Sequence, residues 1–275
     1  MLRPRKPPLE LTADTVPRYW LGGSVVASHI ANGMNLLFPG GERFFVRSVN
    51  HYLDTIGDET LRAEVRGFFG QEGSHARAHE QDFDRLRGQG YQIDGFLRMY
   101  QRFSLDFLDK HCPPQLNLAG TAAAEHFTAI MAEDALANDG MQHAHPEMRR
   151  LLMWHAAEEI EHKHVAFDVL RAVNPSYALR MAGLVLATSN LAAWWTIATV
   201  MLLRQDGVTL ERVRREMKAI RKSVPGKRPV VSGVFARGIR EYMRRDFHPR
   251  DNDNYALAAA YLRDAGLEPR VETAA

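Results

Sequence analysis

Two glutamate–histidine pairs, each spaced E-x-x-H, constrain this chain more than any other feature. Glu72 and His75 lie in FFGQEGSHARAHE, and Glu159 and His162 lie in LMWHAAEEIEHKH. Residues three apart on an α-helix sit about 60° from each other around its axis, so each pair presents both side chains to one side. A lone glutamate precedes each pair in another helical stretch: Glu42 and Glu125, 30 and 34 residues upstream. A helix, a turn and half of a returning helix take about that length. The 53 residues between Glu72 and Glu125 allow a crossover that brings the second helix pair against the first. The expected fold is all-α, a four-helix bundle with one long crossover and E, ExxH, E and ExxH facing its interior.

Helical periodicity and breakers divide the chain into a Pro-rich extended arm over 1–18, the bundle over 19–175, further helices over 176–265 and a flexible tail over 266–275. Within the bundle, helices are expected over 19–36, 42–56, 58–87 with Asp58 as N-cap, 95–111, 118–138 and 147–173. The breaks are Phe38-Pro39-Gly40-Gly41, Pro113-Pro114, the turn 139–146 and Pro175. Beyond them, 181–203, 209–223, 232–246 and 255–265 read as helices, interrupted at Pro225, Gly226, Pro229 and Phe247-His248-Pro249.

Composition excludes some functions. The net charge is +2, from 35 basic and 33 acidic residues, which disfavours a dedicated nucleic-acid binder. The basic run 211–228 reads as a solvated helix face or a contact for an anionic partner. Cys112 is the one cysteine, so no intrachain disulfide or thiolate cluster can form, which suits a reducing cytoplasm. The first residues lack an apolar signal core. The stretch 181–203 holds no charge across 23 residues and is long enough to span a bilayer, yet it contains Thr188, Ser189, Asn190, Thr196 and Thr199. It suits a buried core or dimer-interface helix, a peripheral membrane contact or substrate-tunnel wall, or a membrane span. The expected location is cytoplasmic, with membrane association through 181–203 as the variant.

Imidazole nitrogens and glutamate oxygens together suit first-row metals, and glutamate can chelate or bridge. Two ExxH pairs fall short of the donors that two ions need, and Glu42 and Glu125 supply the missing carboxylates. Glu125 sits in AGTAAAEHFTAIMA, an almost entirely small or apolar run where an unpaired carboxylate is costly. His155 lies four before Glu159 and shares its face, making a seventh ligand. His79, four after His75, Glu133, two turns beyond Glu125, and Glu158, next to Glu159, are further candidates, as ligands or as hydrogen-bond partners of ligands. Glu161 and His164 fall further round and read as solvent-facing or supporting groups. His126 faces away from Glu125.

This pattern, spanning roughly 35–170, resembles the ferritin-like di-iron carboxylate superfamily. His155, one turn before the last ExxH, is similar to the third histidine ligand of arylamine N-oxygenases, a local likeness. FFGQEGSHARAH and HAAEEIEHKHVAFDV resemble a bacterial family labelled predicted metal-dependent hydrolases. The superfamily resemblance implies two Fe ions cycling between Fe2+ and Fe3+, or Mn, or a mixed Mn/Fe pair. With no HExxH motif and no separate base in the sequence, the first expected function is an O2-dependent oxygenase or oxidase. Its substrate would be an apolar molecule of fatty acyl, aryl or terpenoid type. The alternatives are a binuclear metal-dependent hydrolase or a non-catalytic iron-binding protein. Expected partners are the apolar substrate and O2, a ferredoxin or flavin reductase, and a second copy in a homodimer, with no nucleic acid.

Overall fold

The computed structural model describes residues 2–138, 141–223 and 235–268. The described residues are all-α, and their β content is an isolated bridge between Leu21 and Ala144. Helix α1 spans Val25–Asn35 and is capped by Ser24, whose hydroxyl accepts from Ala27 N at 3.1 Å. Helix α2 spans Phe38–Asn50. The expected break at Phe38-Pro39-Gly40-Gly41 is therefore a helix start. Proline is tolerated in the first turn, where its missing N–H has no intrahelical partner. Gly40 admits a close neighbour: a Cβ there would stand 3.2 Å from Tyr100 Cε1.

Helix α3, Glu59–Gly88, begins as expected at Asp58, whose carboxylate accepts from Thr60 N at 2.8 Å and Leu61 N at 3.3 Å. Gly90, with φ +90°, turns the chain after it. The helix expected over 95–111 is three pieces: α4 Asp94–Tyr100, a π-helical turn Gln101–Leu105, and α5 Asp106–His111. Helix α6, Pro114–Ala137, follows. The helix expected over 147–173 is broken into α7, Pro146–His162, and α8, Val165–Val173. At the break, the Lys163 ammonium donates to Asn252 O and Asn254 Oδ1, so the last ligand candidate is also the last residue of α7.

Helices α2 and α3 pack along each other, as do α6 and α7, and the two pairs face each other to form the bundle. The core contains Phe68, Leu118, Phe127 and Phe167. Helix α9, Tyr177–Gln205, is long and apolar enough to cross a membrane by length and composition. It lies along α6 and α1, tightly enough that a Cβ at Gly183 would collide with the Ala119 carbonyl. Its inner face is buried at Leu184, Ala187, Ala198 and Leu202, while Val185 is 68% exposed. The helix is thus buried on one face and open on the other.

Helix α10, Leu210–Ser223, rests Val213 and Met217 on α1, and Glu216 accepts from Ser24 Oγ and Val26 N at 2.6 and 3.1 Å. Its Arg214, Arg215 and Lys218 face outward. The end of the basic run after Ser223, the breakers Pro225, Gly226 and Pro229, and the start of the helix expected over 232–246 lie outside the described residues, as does most of the tail. Helix α11, Phe235–Tyr242, and α12, Tyr255–Asp264, close the fold.

The arm over 2–18 is extended and docked. A Cβ at Gly70 would touch Pro4 at 3.1 Å, and Leu11 and Val16 are buried. Arg5 reaches α7, where its guanidinium donates to Glu161 Oε2 and Oε1 at 2.6 and 2.9 Å and to Glu158 Oε1 at 3.1 Å.

Candidate metal centre

Helices α2, α3, α6 and α7 bring Glu42, Glu72, His75, His79, Glu125, His155, Glu159 and His162 into one buried cluster. Four sets of three offer donor atoms mutually within 4.8 Å: Glu42, His79 and His155; His75, His155 and Glu159; Glu42, Glu72 and His75; Glu72, Glu125 and His162. Glu72 joins the last two sets and so stands between the Glu42 end and the Glu125 end. Glu159 is also central: its Oε1 lies 2.9 Å from His155 Nε2, 3.5 Å from His162 Nε2 and 3.7 Å from His75 Nδ1.

The cluster does not satisfy itself. Seven of the eight oxygens of Glu42, Glu72, Glu125 and Glu159 are buried without a hydrogen bond, as are His75 Nδ1, His79 Nδ1 and His162 Nε2. His162 Nε2 lies 3.1 Å from Glu72 Oε1 and 3.5 Å from Glu125 Oε2, close but misaligned for hydrogen bonding. Buried polar groups in folded proteins are rarely left in this state. Donors that converge without bonding one another suit cations placed among them. The set of hard carboxylate oxygens and imidazoles fits divalent first-row metals.

Electrostatics point the same way. Burial, followed by repulsion from Glu72, Glu159 and Glu125, pushes the Glu42 carboxyl well above its ordinary range. Burial and the charges of Glu72 and Glu159 do the same to Glu125. Burial also opposes charge on Glu72 and Glu159, but adjacent histidines outweigh it: His162 and His75 lower Glu72, and His162 and His155 hold Glu159 well below its usual range. Burial opposes charge on His75 too, but Glu158 and Glu72 raise it to about 9. For His79, burial and then His155 and His75 push the pKa well below normal. Without metal, therefore, protons on carboxyls and histidines supply the positive charge the cluster needs.

Both ExxH histidines are oriented from behind. His75 Nε2 is held by Glu158 Oε2 at 3.0 Å, which turns Nδ1 into the cluster. His162 Nδ1 donates to Gln71 Oε1 at 3.0 Å, which turns Nε2 inward. Gln71 in turn donates to Glu161 Oε2 at 2.7 Å, and Arg5 clamps both Glu158 and Glu161. Such outer partners fix the tautomer and direction of a ligating imidazole. Glu158 takes this supporting place behind His75.

Other candidates are placed differently. Glu133 is turned elsewhere, paired with Arg237 at 2.7 Å and accepting from Asn252 at 2.6 Å, because the C-terminal helices offer it a cation. His79 stays in the cluster, bonded through Nε2 to His155 Nδ1. His164 is buried against Glu64 at 3.2 Å instead of facing solvent. Glu161 is half-buried in the Arg5 clamp. His126 faces away, its Nε2 donating to Gly238 O at 3.0 Å. Sequence reasoning missed Gln71 and Arg5. Gln71 immediately precedes the first ExxH, a local signal; for Arg5 the sequence carries none.

A search of curated proteins and one of solved structures each gave no match. A family model described as "Predicted metal-dependent hydrolase" matches residues 3–253, which include the arm with Arg5, all four helices of the cluster and the helices that cover it. By that match over nearly its whole length, the chain belongs to the predicted metal-dependent hydrolase family.

Proposed function

We propose that Glu42, Glu72, His75, Glu125, His155, Glu159 and His162 bind two divalent metal ions, and that the protein is a hydrolase that uses them on a carboxylic ester or related bond. The observation that carries this reading is the set of buried carboxylate oxygens without hydrogen-bond partners. Glu72 and Glu159 would hold the ions from the centre of the cluster, since each lies close to histidines at both ends of it. Glu42 and Glu125 would hold them from either end, and His79 supports His155. Family membership makes hydrolysis the reaction to test first. Bound divalent ions would supply Lewis-acid polarisation and a lowered pKa for water. The chain's contribution is orientation through Glu158, Gln71 and Arg5, and exclusion of bulk water by Phe38, Phe68 and Trp154 beside the histidine rings.

The test is metal analysis combined with anaerobic turnover. Protein reconstituted with zinc, manganese or iron is expected to hold about two ions per chain. It should cleave an aryl or alkyl ester without O2, and Glu125→Ala should lose that activity. One ion or fewer per chain would sink the binuclear assignment.

A second reading is favoured by one observation: four buried carboxylates with three histidines, including His155, line a centre walled by apolar side chains. Such a set suits two iron ions, O2 and oxidation of an apolar substrate, with electrons from a ferredoxin or flavin reductase. Substrate-dependent O2 consumption by the iron form, with no anaerobic ester cleavage, would replace the hydrolytic reading with this one.

A further inference from the structure

Beside the cluster, α2, α4, the π-helical turn, α5, α6 and α9 line an open cleft. Its walls are apolar, with Phe45, Leu105, Leu108, Leu186 and Leu191 among them. Four lining residues carry polar side chains: Glu42, Tyr100, Thr128 and Asn190. Thr128 gives its hydroxyl proton to Glu125 O at 2.9 Å, and Asn190 donates to Ser104 Oγ at 2.7 Å. Glu42 and Tyr100 remain. Both Glu42 oxygens lack a hydrogen bond, and the residue is 2% exposed. The Tyr100 hydroxyl lies where a Cβ on Gly41, the neighbour of Glu42, would meet it at 3.6 Å.

The surroundings of the cleft share its character. Helices α4 and α5 run antiparallel to α9, with Phe96 and Tyr100 against Trp194 and Ser104 against Asn190. The π-helical turn between them carries Phe103, 64% exposed, and α5 carries Phe107, 52% exposed, while α9 carries Val185. A water-soluble polar substrate would gain nothing from such walls. A hydrocarbon chain would bury its methylenes there at about 0.8 kcal/mol each. The π-helical turn sits directly after Tyr100, a place where such turns frequently mark function.

We propose that this cleft is the substrate site and takes a long hydrocarbon chain of acyl or alkyl type, with the chain against Leu105, Leu108, Leu186 and Leu191 and the reacting group at Glu42 and Tyr100. The assignment of the reacting end rests on the metal reading above. The binding of the chain does not, so the two can fail separately.

Trp194 provides a readout independent of activity. It is half-buried, with its ring 5.3 Å from that of Tyr100. A bromine-bearing long-chain fatty acid is expected to quench its fluorescence in both metal-free and metal-loaded protein, and Trp194→Phe should remove most of that quenching. A Cβ at Gly120 would lie 3.4 Å from Leu186 Cδ2, so Gly120→Leu extends a side chain across the cleft. That variant should bind the fatty acid weaker by about tenfold or more while metal content per chain is unchanged. Leu186→Phe narrows the same wall and serves if Gly120→Leu fails to fold. The proposal is overturned if the long-chain acid does not quench, if acetate competes with it equally, or if a folded cleft variant binds it as wild type does. Loss of metal with quenching intact would instead strike the metal reading alone.

Discussion

Helix α3 carries two buried polar clusters within a few turns, and they balance charge in opposite ways. At its C-terminal end, Asp82 is paired with Arg85 and accepts from Asn35, while Arg85 also donates to Gln89 Oε1 at 3.0 Å and Asn32 Oδ1 at 3.2 Å. Both oxygens of that carboxylate are spoken for, by a cation the chain itself supplies. One to three turns earlier, Glu72, His75 and His79 join a cluster of four carboxylates into which no lysine or arginine reaches among the described residues. A buried charge needs a partner. Where the fold provides one, the cluster is structural. Where donors converge and the fold provides none, the partner comes from solution. This contrast separates the metal reading from the plainer one, in which buried polar residues simply stabilise a core.

The comparison can be broken in several places. The largest effect is expected at the central carboxylates. Glu159→Ala should reduce bound metal from about two ions to fewer than one per chain, as read by elemental analysis, and retention of both ions would remove Glu159 from the ligand set. Arg85→Met should do the reverse. It leaves Asp82 buried without its cation, so denaturant unfolding should show a loss of about 3–5 kcal/mol, with metal content per folded chain unchanged. Glu158→Ala removes the acceptor behind His75 and should weaken metal affinity by about 10–100-fold in chelator competition. An unchanged affinity would remove Glu158 from the orienting role.

The gentlest probe is pH. His75 has a folded pKa of about 9 against an ordinary 6.5, so in metal-free protein the folded state holds a proton that the unfolded state releases between these values. That contribution to stability is fully present below pH 6.5 and is lost as pH rises through 9. Metal-free protein should thus show a falling Tm over this window. In metal-loaded protein the ions displace the proton, and the fall should vanish. Equal pH profiles with and without metal would mean that the ions bind somewhere else.

The site was legible in the sequence where its logic is local. Glu72 and His75, or Glu159 and His162, declare themselves by spacing, because three residues on a helix return a side chain to the same face. Glu125 declares itself by its apolar neighbours. Where partners lie far apart in sequence, nothing local marks them. Glu133 shares a helix face with Glu125, yet Arg237, on a helix that periodicity could not position, draws it away. The reading of 38–41 as a break erred for a different reason. Proline and glycine usually end helices, but here proline opens one and Gly40 lets Tyr100 approach. The single helix expected over 147–173 failed because nothing in EEIEHKHVAFD signals that Lys163 bonds to Asn252 and Asn254 across the fold.

The Arg5 clamp has a consequence for the order of events during synthesis. Arg5 and Glu158 are separated by 153 residues, yet their contact steadies a histidine on α3. Contacts of such long range form late and slow the final stages of folding. The arm leaves the ribosome before α7 and must wait for it before it can dock, and until then neither ExxH histidine is fully aimed. Metal capture is therefore expected to be a closing step of maturation. A pulse of metal given to refolding chains should be taken up only after the arm has become protected from protease.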